Sequence, residues 1–141
     1  MIYILDTDTF TLAYYCKLRV RQRMEYARVT NEVAISVVTR IEVLRGRFDS
    51  VLKAVDETEL RRACEMLESS EQYLAEFSVL PFENLAIEKF DLLRDEKKLR
   101  KIGRPDLLIA CIALAHSATL VTRNVKDFAS VPGLLRENWA D

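Results

Sequence analysis

Four carboxylates follow or begin the apolar segments of this 141-residue chain. Asp6 comes directly after Ile2–Leu5, a short apolar run typical of a buried strand. Glu42 lies on the helix predicted after a second apolar run, Asp106 opens a strongly apolar helix, and Asp127 lies in the loop after a later strand. Ligands of open parallel sheets bind beyond the carboxyl ends of the strands, so we expect all four side chains to reach one rim.

Acids gathered on one rim repel each other unless a cation lies between them. The hard divalent ions Mg²⁺ and Mn²⁺ prefer carboxylate oxygens and water as ligands. Such an ion activates a water for in-line attack and neutralises the charge that builds on a phosphate. His116 is the only histidine, which excludes mechanisms that need two histidines and metal sites built from three. Taken singly, each acid also has a simpler explanation, as a turn, cap, surface or loop residue.

Short apolar runs alternate with helical patterns along the chain. This alternation predicts an α/β fold whose parallel sheet is covered on both faces. The predicted strands are Ile2–Leu5, Val33–Ile35, Ser78–Leu80, Thr119–Thr122 and an edge strand Leu134–Trp139.

The helices are predicted from apolar positions at three-to-four spacing and from capping residues. Thr7 or Asp8 is expected to cap the first helix, and Ser36 the second, with Gly46 ending that second helix. The predicted helices are Phe10–Lys17, Val37–Arg45, a helical hairpin over residues 49–77, Asn84–Leu99 and Leu107–His116.

Length and composition are those of one ordinary globular domain spanning residues 1–141. No apolar stretch approaches the roughly 20 residues that a membrane helix needs. The opening segment is too short and too acidic for a signal peptide, so we expect a cytoplasmic protein without a membrane anchor.

Three cysteines occur at wide and irregular spacing: Cys16, Cys64 and Cys111. This pattern argues against a disulfide framework and against a zinc cluster. Cys64 and Cys111 fall in helical patterns and are expected to be small core residues.

The net charge of −1 gives no overall basic field that would favour nucleic acid. Positive charge is nevertheless concentrated in two groups, and a solvated helix face would explain either of them. They are Arg19, Arg21 and Arg23, and then Arg94, Lys97, Lys98, Arg100, Lys101 and Arg104.

The motifs around the acids together resemble those of PIN-domain nucleases, in particular the VapC-type toxins of toxin–antitoxin modules. They are LDTD at Asp6, ISVVTRIEVLRG around Glu42, IGRPDLLIACIALAH from Asp106, TLVTRNVKDF around Asp127 and the tail VPGL…ENW. Each motif alone is weakly specific, but their order, their spacing and their reach to both chain ends are specific. The middle of the chain, roughly residues 48–77, adds little to this resemblance.

The resemblance implies a three-layer α/β/α PIN-like fold with a central, mostly parallel sheet of four to five strands. It also implies an endoribonuclease that uses Mg²⁺ or Mn²⁺. Asp6, Glu42 and Asp106 match the family's first three metal-binding acids. The fourth position varies in the family; Asp127 is our choice for the carboxylate. The supporting polar residues implied by the resemblance are Thr39, Thr122, Asn124 and Asp8.

Further partners follow from the same resemblance. An RNA substrate needs cations beside the acids, and we expect these to be Lys97, Lys98, Arg100, Lys101, Arg104 and Arg123. A cognate antitoxin would insert a peptide and block the site, and family members usually form homodimers.

Two alternative functions remain at this stage. Asp6 and Asp8 form a D-x-D pair after the first strand, as in haloacid-dehalogenase phosphatases, where the first Asp is the nucleophile. Phe10 stands where those proteins usually carry Thr or Val, and the late region lacks their paired acids. The other alternative is a catalytically idle PIN-like binding module that keeps its acids only for structure.

Overall fold

A computed structural model describes all residues, Met1–Asp141. Its centre is a five-stranded sheet in the order β3-β2-β1-β4-β5, and every neighbouring pair of strands is parallel. The strands are β1 (Ile2–Leu5), β2 (Glu32–Ser36), β3 (Ser78–Leu80), β4 (Thr119–Val121) and β5 (Leu135–Glu137). The α/β class and the parallel sheet expected from the sequence are confirmed.

The strands are joined by seven α-helices and one short 3-10 turn, Lys97–Leu99. The helices are α1 (Thr7–Tyr14), α2 (Leu18–Arg28), α3 (Val37–Lys53), α4 (Glu57–Leu74), α5 (Asn84–Leu93), α6 (Arg104–Ala115) and α7 (Val125–Phe128). None of the helices combines the length and the apolar character that crossing a bilayer requires.

Helices cover both faces of the sheet, which gives three layers. Successive strand residues point to opposite faces: Ile4 and Leu120 pack into the core under α5 and α6, whereas Leu5 and Val121 pack into the core under α1 to α4. The inner strands β1, β2 and β4 are largely buried and mostly apolar, as expected for strands covered on both faces, whereas the edge strand β5 is mostly exposed and carries two charged residues.

The third helix, α3, is longer than expected. Ser36 caps it as predicted, its Oγ accepting a hydrogen bond from Thr39 N at 3.1 Å. Gly46 does not end it, however, and α3 continues to Lys53 before a tight connection to α4. A glycine ends a helix where the chain must adopt a positive φ, which Gly46 does not. The hairpin expected within residues 49–77 was also wrong, because those residues form the end of α3 and the single helix α4, which pack against each other.

One element was not predicted, and two other expectations were wrong. The segment after α1, for which no element was predicted, forms α2, whose buried face is Val20, Met24 and Ala27. The helix that begins at Asn84 ends at Leu93 rather than Leu99. Cys111 is buried, but Cys64 is exposed, because the face of α4 that carries it is not covered by another element.

Candidate active site

Asp6 lies at the carboxyl end of β1, at the point where the chain enters α1. Its backbone is extended (φ −72°, ψ 174°) and its Oδ1 accepts a hydrogen bond from Thr9 N at 2.8 Å, so Asp6 itself caps α1. The expected cap at Thr7 or Asp8 was therefore wrong, since both residues are already inside the helix. Asp6 is 5% exposed, and this burial raises its carboxyl pKa despite hydrogen bonds from Thr9 and the Thr122 side chain.

Glu42 lies on α3 and is held by a pair of threonines. Thr7 Oγ1 donates a hydrogen bond to Glu42 Oε1 at 2.6 Å, and the Thr7 and Thr39 hydroxyls are 3.1 Å apart. These bonds tie the start of α1 to α3 and orient the carboxylate. Thr39 was expected to support the site, whereas Thr7 was considered only as a helix cap. The sequence signal for a site role of Thr7 was its hydroxyl, which follows Asp6 directly.

Asp106 lies in the first turn of α6, after Gly103 and Pro105. Burial raises the pKa of its carboxyl to about 6, and the negative charges of Asp6, Glu42 and Asp8 add to the shift. Side chains from three separate elements are therefore close enough to act on one another electrostatically. Asp8 is exposed and contributes only its charge.

No cation of the protein balances this cluster of Asp6, Asp8, Glu42 and Asp106, hereafter the acid cluster. None of the ion pairs in the structure includes any of its members. No three Asp, Glu, His or Cys side chains are arranged closely enough to hold one ion as they stand. Oxygen donors that repel each other and lack a basic partner match the ligand set of a hard divalent cation. The donor set therefore fits a metal, and closing it requires side-chain rotation.

Asp127 lies outside the acid cluster. It belongs to the short helix α7, and its Oδ1 is 3.6 Å from Lys101 Nζ. It does not contribute to the pKa shift of Asp6 or Asp106. Thr122 does reach the site, since its side chain bonds Asp6 and its Oγ1 accepts a hydrogen bond from Asn124 N at 3.0 Å.

The basic residues expected beside the acids are divided among several places. Lys97 and Lys98 are exposed on the 3-10 turn, and Lys101 follows it to meet Asp127. Arg123 makes a long ion pair of 3.7 Å with Asp141. Arg100 directly follows the 3-10 turn and Arg104 begins α6, and both line a cavity described below.

The earlier arginine group on α2 has a structural role. Arg21 Nε donates to Ala13 O at 2.6 Å, and its guanidinium lies 4.8 Å from the centre of the Tyr73 ring. Arg23 pairs with Glu137 at 3.5 Å. This group therefore attaches α2 to its neighbours.

Comparison with known proteins identifies the family. The family model for the PIN domain matches residues 3–134, which is nearly the whole chain. The chain belongs to the PIN-domain family. The matched range includes the acid cluster and Asp127.

Relatives place this PIN-domain chain close to the VapC proteins. It is 31% identical over 148 residues to Ribonuclease VapC2 of Rickettsia felis, covering 99% of this chain and 98% of the relative. It is also 31% identical over 143 residues to Ribonuclease VapC1 of Haemophilus influenzae, with the same coverage. A solved structure of VapBC2 from Rickettsia felis, bound to a DNA fragment from its promoter, includes a chain with 29% identity, a TM-score of 0.79 and 99% coverage of both chains.

Proposed function

We propose that this PIN-domain protein is an endoribonuclease that cleaves RNA with a divalent metal ion held by Asp6, Glu42 and Asp106. The observation that carries the proposal is the mutual repulsion of these carboxylates, which contributes to the pKa of about 6 at Asp106 and which no basic side chain relieves. The names of the relatives, which are ribonucleases, agree with it.

Each acid is positioned by a different feature. Asp6 is fixed by its cap bond to Thr9 N, and Glu42 by its short bond from Thr7. Asp106 is held by the first turn of α6. When bound, Mg²⁺ or Mn²⁺ would supply Lewis acidity toward the phosphate and a lowered pKa for water. Asp6, Glu42 and Asp106 would then hold and orient that ion.

The remaining site residues have supporting roles in this proposal. Thr39 orients Thr7, and Thr122 orients Asp6. Asp8 adds negative charge at the rim. Asp127 is available as a fourth carboxylate only after leaving Lys101, so the choice between Asp127 and Asn124 stays a prediction.

Cations at the rim would hold the phosphates of the RNA. Lys97, Lys98 and Lys101 lie on and just after the 3-10 turn, which runs directly into α6 and Asp106. Lys101 already reaches the rim, where it meets Asp127. Arg123 is held more loosely, at 3.7 Å from Asp141, and is free to turn toward RNA.

We also propose a protein partner, an antitoxin, and a homodimer. The similarity to VapBC toxin–antitoxin structures, among them VapBC2 from Rickettsia felis, supports the antitoxin, and the homodimer stays a prediction. In the present chain, the end of α3 exposes apolar side chains: Phe48 is 53% exposed, Leu52 68% and Val55 84%. Exposed apolar residues grouped on one helix end indicate a protein-binding surface.

The proposed activity is tested by incubating RNA with the protein in Mg²⁺ or Mn²⁺, with and without chelator. The parent is expected to cleave RNA only with metal, and Asp6→Asn to lose cleavage. Since asparagine also caps helices well, Asp6→Asn should keep α1 intact. Asp49→Asn is the matched control because Asp49 pairs with Lys53 on the exposed side of α3. Equal cleavage by parent and Asp6→Asn would refute the proposal.

The two alternatives give different results in the same experiment. A phosphatase would hydrolyse phosphate monoesters and lose that activity in Asp8→Asn, whereas metal-dependent RNA cleavage should largely survive this change. A catalytically idle module would cleave nothing, and its Asp6→Asn and Asp106→Asn variants would melt well below the parent without metal.

A further inference from the structure

A cavity of about 310 Å³ lies between the end of α5, the 3-10 turn and the start of α6. Three arginines line it, Arg94, Arg100 and Arg104, together with the ring of Phe90 and one carboxylate, Asp95. We propose that this cavity binds a phosphate of the RNA strand a few nucleotides from the bond that is cleaved. The inference rests on the proposed ribonuclease function and adds a second contact point for the same substrate.

The three arginines are almost free of acidic partners. Arg100 and Arg104 make no ion pair, and Arg94 makes only a long contact of 3.9 Å to Asp91. Exposed guanidinium groups are common on protein surfaces, but three that converge on one concave site give a local excess of positive charge. An anion is the ligand that such a site favours.

Phe90 gives two of the guanidinium groups a defined position. The Arg104 guanidinium carbon lies 5.2 Å from the centre of the Phe90 ring, and that of Arg94 lies 5.9 Å from it. A guanidinium that stacks on an aromatic ring keeps its N–H groups available at its edges, and its planar fork matches a phosphate. The ring therefore restricts the arginines before a ligand arrives, which lowers the entropic cost of binding.

The start of α6 adds further donors on the same side. Gly103, the N-cap, gives no side-chain cap, and the backbone N–H groups of Arg104 and Asp106 donate no hydrogen bond within the protein. The N-terminus of a helix of this length carries partial positive charge. The start of α6, where Arg104 lines the cavity, therefore adds to the positive potential that favours an anion there.

The cavity and the acid cluster are neighbours along α6. Arg104 and Leu107 line the cavity, and Asp106 lies between them in sequence, so both sites belong to the same helical turn. The two sites face different sides of this turn. A single strand that lays one phosphate at the acid cluster can therefore place a later or earlier phosphate in the cavity.

The test measures binding of fluorescent RNA to the cleavage-inactive Asp6→Asn protein in chelator, over a range of salt concentrations. Adding Arg100→Gln and Arg104→Gln together should weaken binding roughly tenfold or more. The slope of log K against log salt should become shallower by about 0.7, because the cavity holds one phosphate and each phosphate contact to a single strand contributes about 0.7. Arg61→Gln, which breaks an exposed pair with Glu57 on α4, is the matched control and should change neither quantity.

Cleavage of RNAs of different length in Mn²⁺, by proteins that keep Asp6, gives a second readout. A dodecamer can reach both sites, whereas a dinucleotide held at the acid cluster reaches only that one, so the double variant should raise the KM for the dodecamer and not for the dinucleotide. Phe90→Leu keeps the charges but removes the stacking surface, and it should weaken dodecamer binding less than the double variant does. Unchanged melting temperatures for these variants would show that the fold is retained.

Several outcomes would overturn the inference. If the double variant binds and cleaves RNA as the parent does, the cavity is not an RNA site, although the proposed function stands. If inorganic phosphate stabilises the parent while RNA binding is unaffected by the double change, the cavity takes a free anion instead. If only the affinity for an acidic protein partner falls, the cavity is a protein contact. A parent that neither binds nor cleaves RNA refutes both proposals.

Discussion

Replacing Asp106 with asparagine should stabilise the metal-free protein at neutral pH. The Asp106 carboxyl has a pKa of about 6 in the folded chain, above its ordinary value of 3.8. The folded state therefore binds this proton more tightly than the unfolded state does, and stability is lost as the pH rises from about 4 to about 6. Asparagine has the same shape but carries no charge, so the variant avoids the penalty.

The magnitude follows from the size of the shift. A change of about two pKa units corresponds to about 3 kcal/mol once the group is fully ionised. Asp106 is partly exposed, and solvent screening reduces the usable figure to about 1–2 kcal/mol. For a chain of this size, such a gain raises the melting temperature by about 3–6 °C.

The assay is thermal unfolding in chelator at two pH values. Asp106→Asn should melt above the parent at pH 7.5. The difference should shrink to about a fifth at pH 4, where the carboxyl is protonated in the folded state and ionised in only about half of the unfolded molecules. Asp127→Asn is the matched control because Asp127 lies outside the acid cluster, and its exposed pair with Lys101 contributes at most about 1 kcal/mol.

Adding Mn²⁺ should reverse the order. A ligand that binds only the folded state stabilises it according to its concentration relative to its Kd, and the parent retains the full set of carboxylates. Asp106→Asn melting below the parent in chelator at pH 7.5 would refute the reasoning, since it would show that the charge of Asp106 is stabilised by something other than an added cation.

Three further predictions concern individual side chains. Thr7→Val should weaken Mn²⁺ binding, measured by titration calorimetry, because Glu42 loses its 2.6 Å hydrogen bond; Thr7→Ser should restore it, and equal affinity in both variants would contradict this role. In denaturant unfolding, the free energy of unfolding of Asp6→Ala should be about 1 kcal/mol lower than that of Asp6→Asn, because alanine cannot cap α1. In a thiol-titration assay of the native protein, Cys111 should stay unreactive while the two exposed cysteines react, because burial raises its pKa to about 11; reaction of all three at equal rates would be inconsistent with this burial.

Much of the fold could be predicted because the strands carry a strong local signal. β1, β2 and β4 each contain a short apolar run, which is what a strand buried on both faces requires. α2 was missed because its surroundings are rich in arginine, although Val20, Met24 and Ala27 already have the spacing of one buried helix face. Gly46 was misleading because packing of α3 on α4 outweighs the roughly 1 kcal/mol that a glycine costs inside a helix.

The acids of the candidate site could be predicted from the sequence, but the contacts that hold them could not. Asp6, Glu42 and Asp106 follow from strand ends, helix starts and family motifs, and the structure couples all three electrostatically. The role of Thr7 depends on a contact between residues 35 positions apart, which spacing does not reveal. The partner of Asp127 likewise depends on how the 3-10 turn packs.

The central claim is that the acid cluster holds a catalytic divalent ion. Its most direct test is anomalous diffraction from crystals grown with Mn²⁺, using a preparation that cleaves RNA with Mn²⁺. The account predicts an anomalous peak within bonding distance of carboxylate oxygens of Asp6, Glu42 and Asp106. A map from such crystals with no peak between these residues would contradict the account.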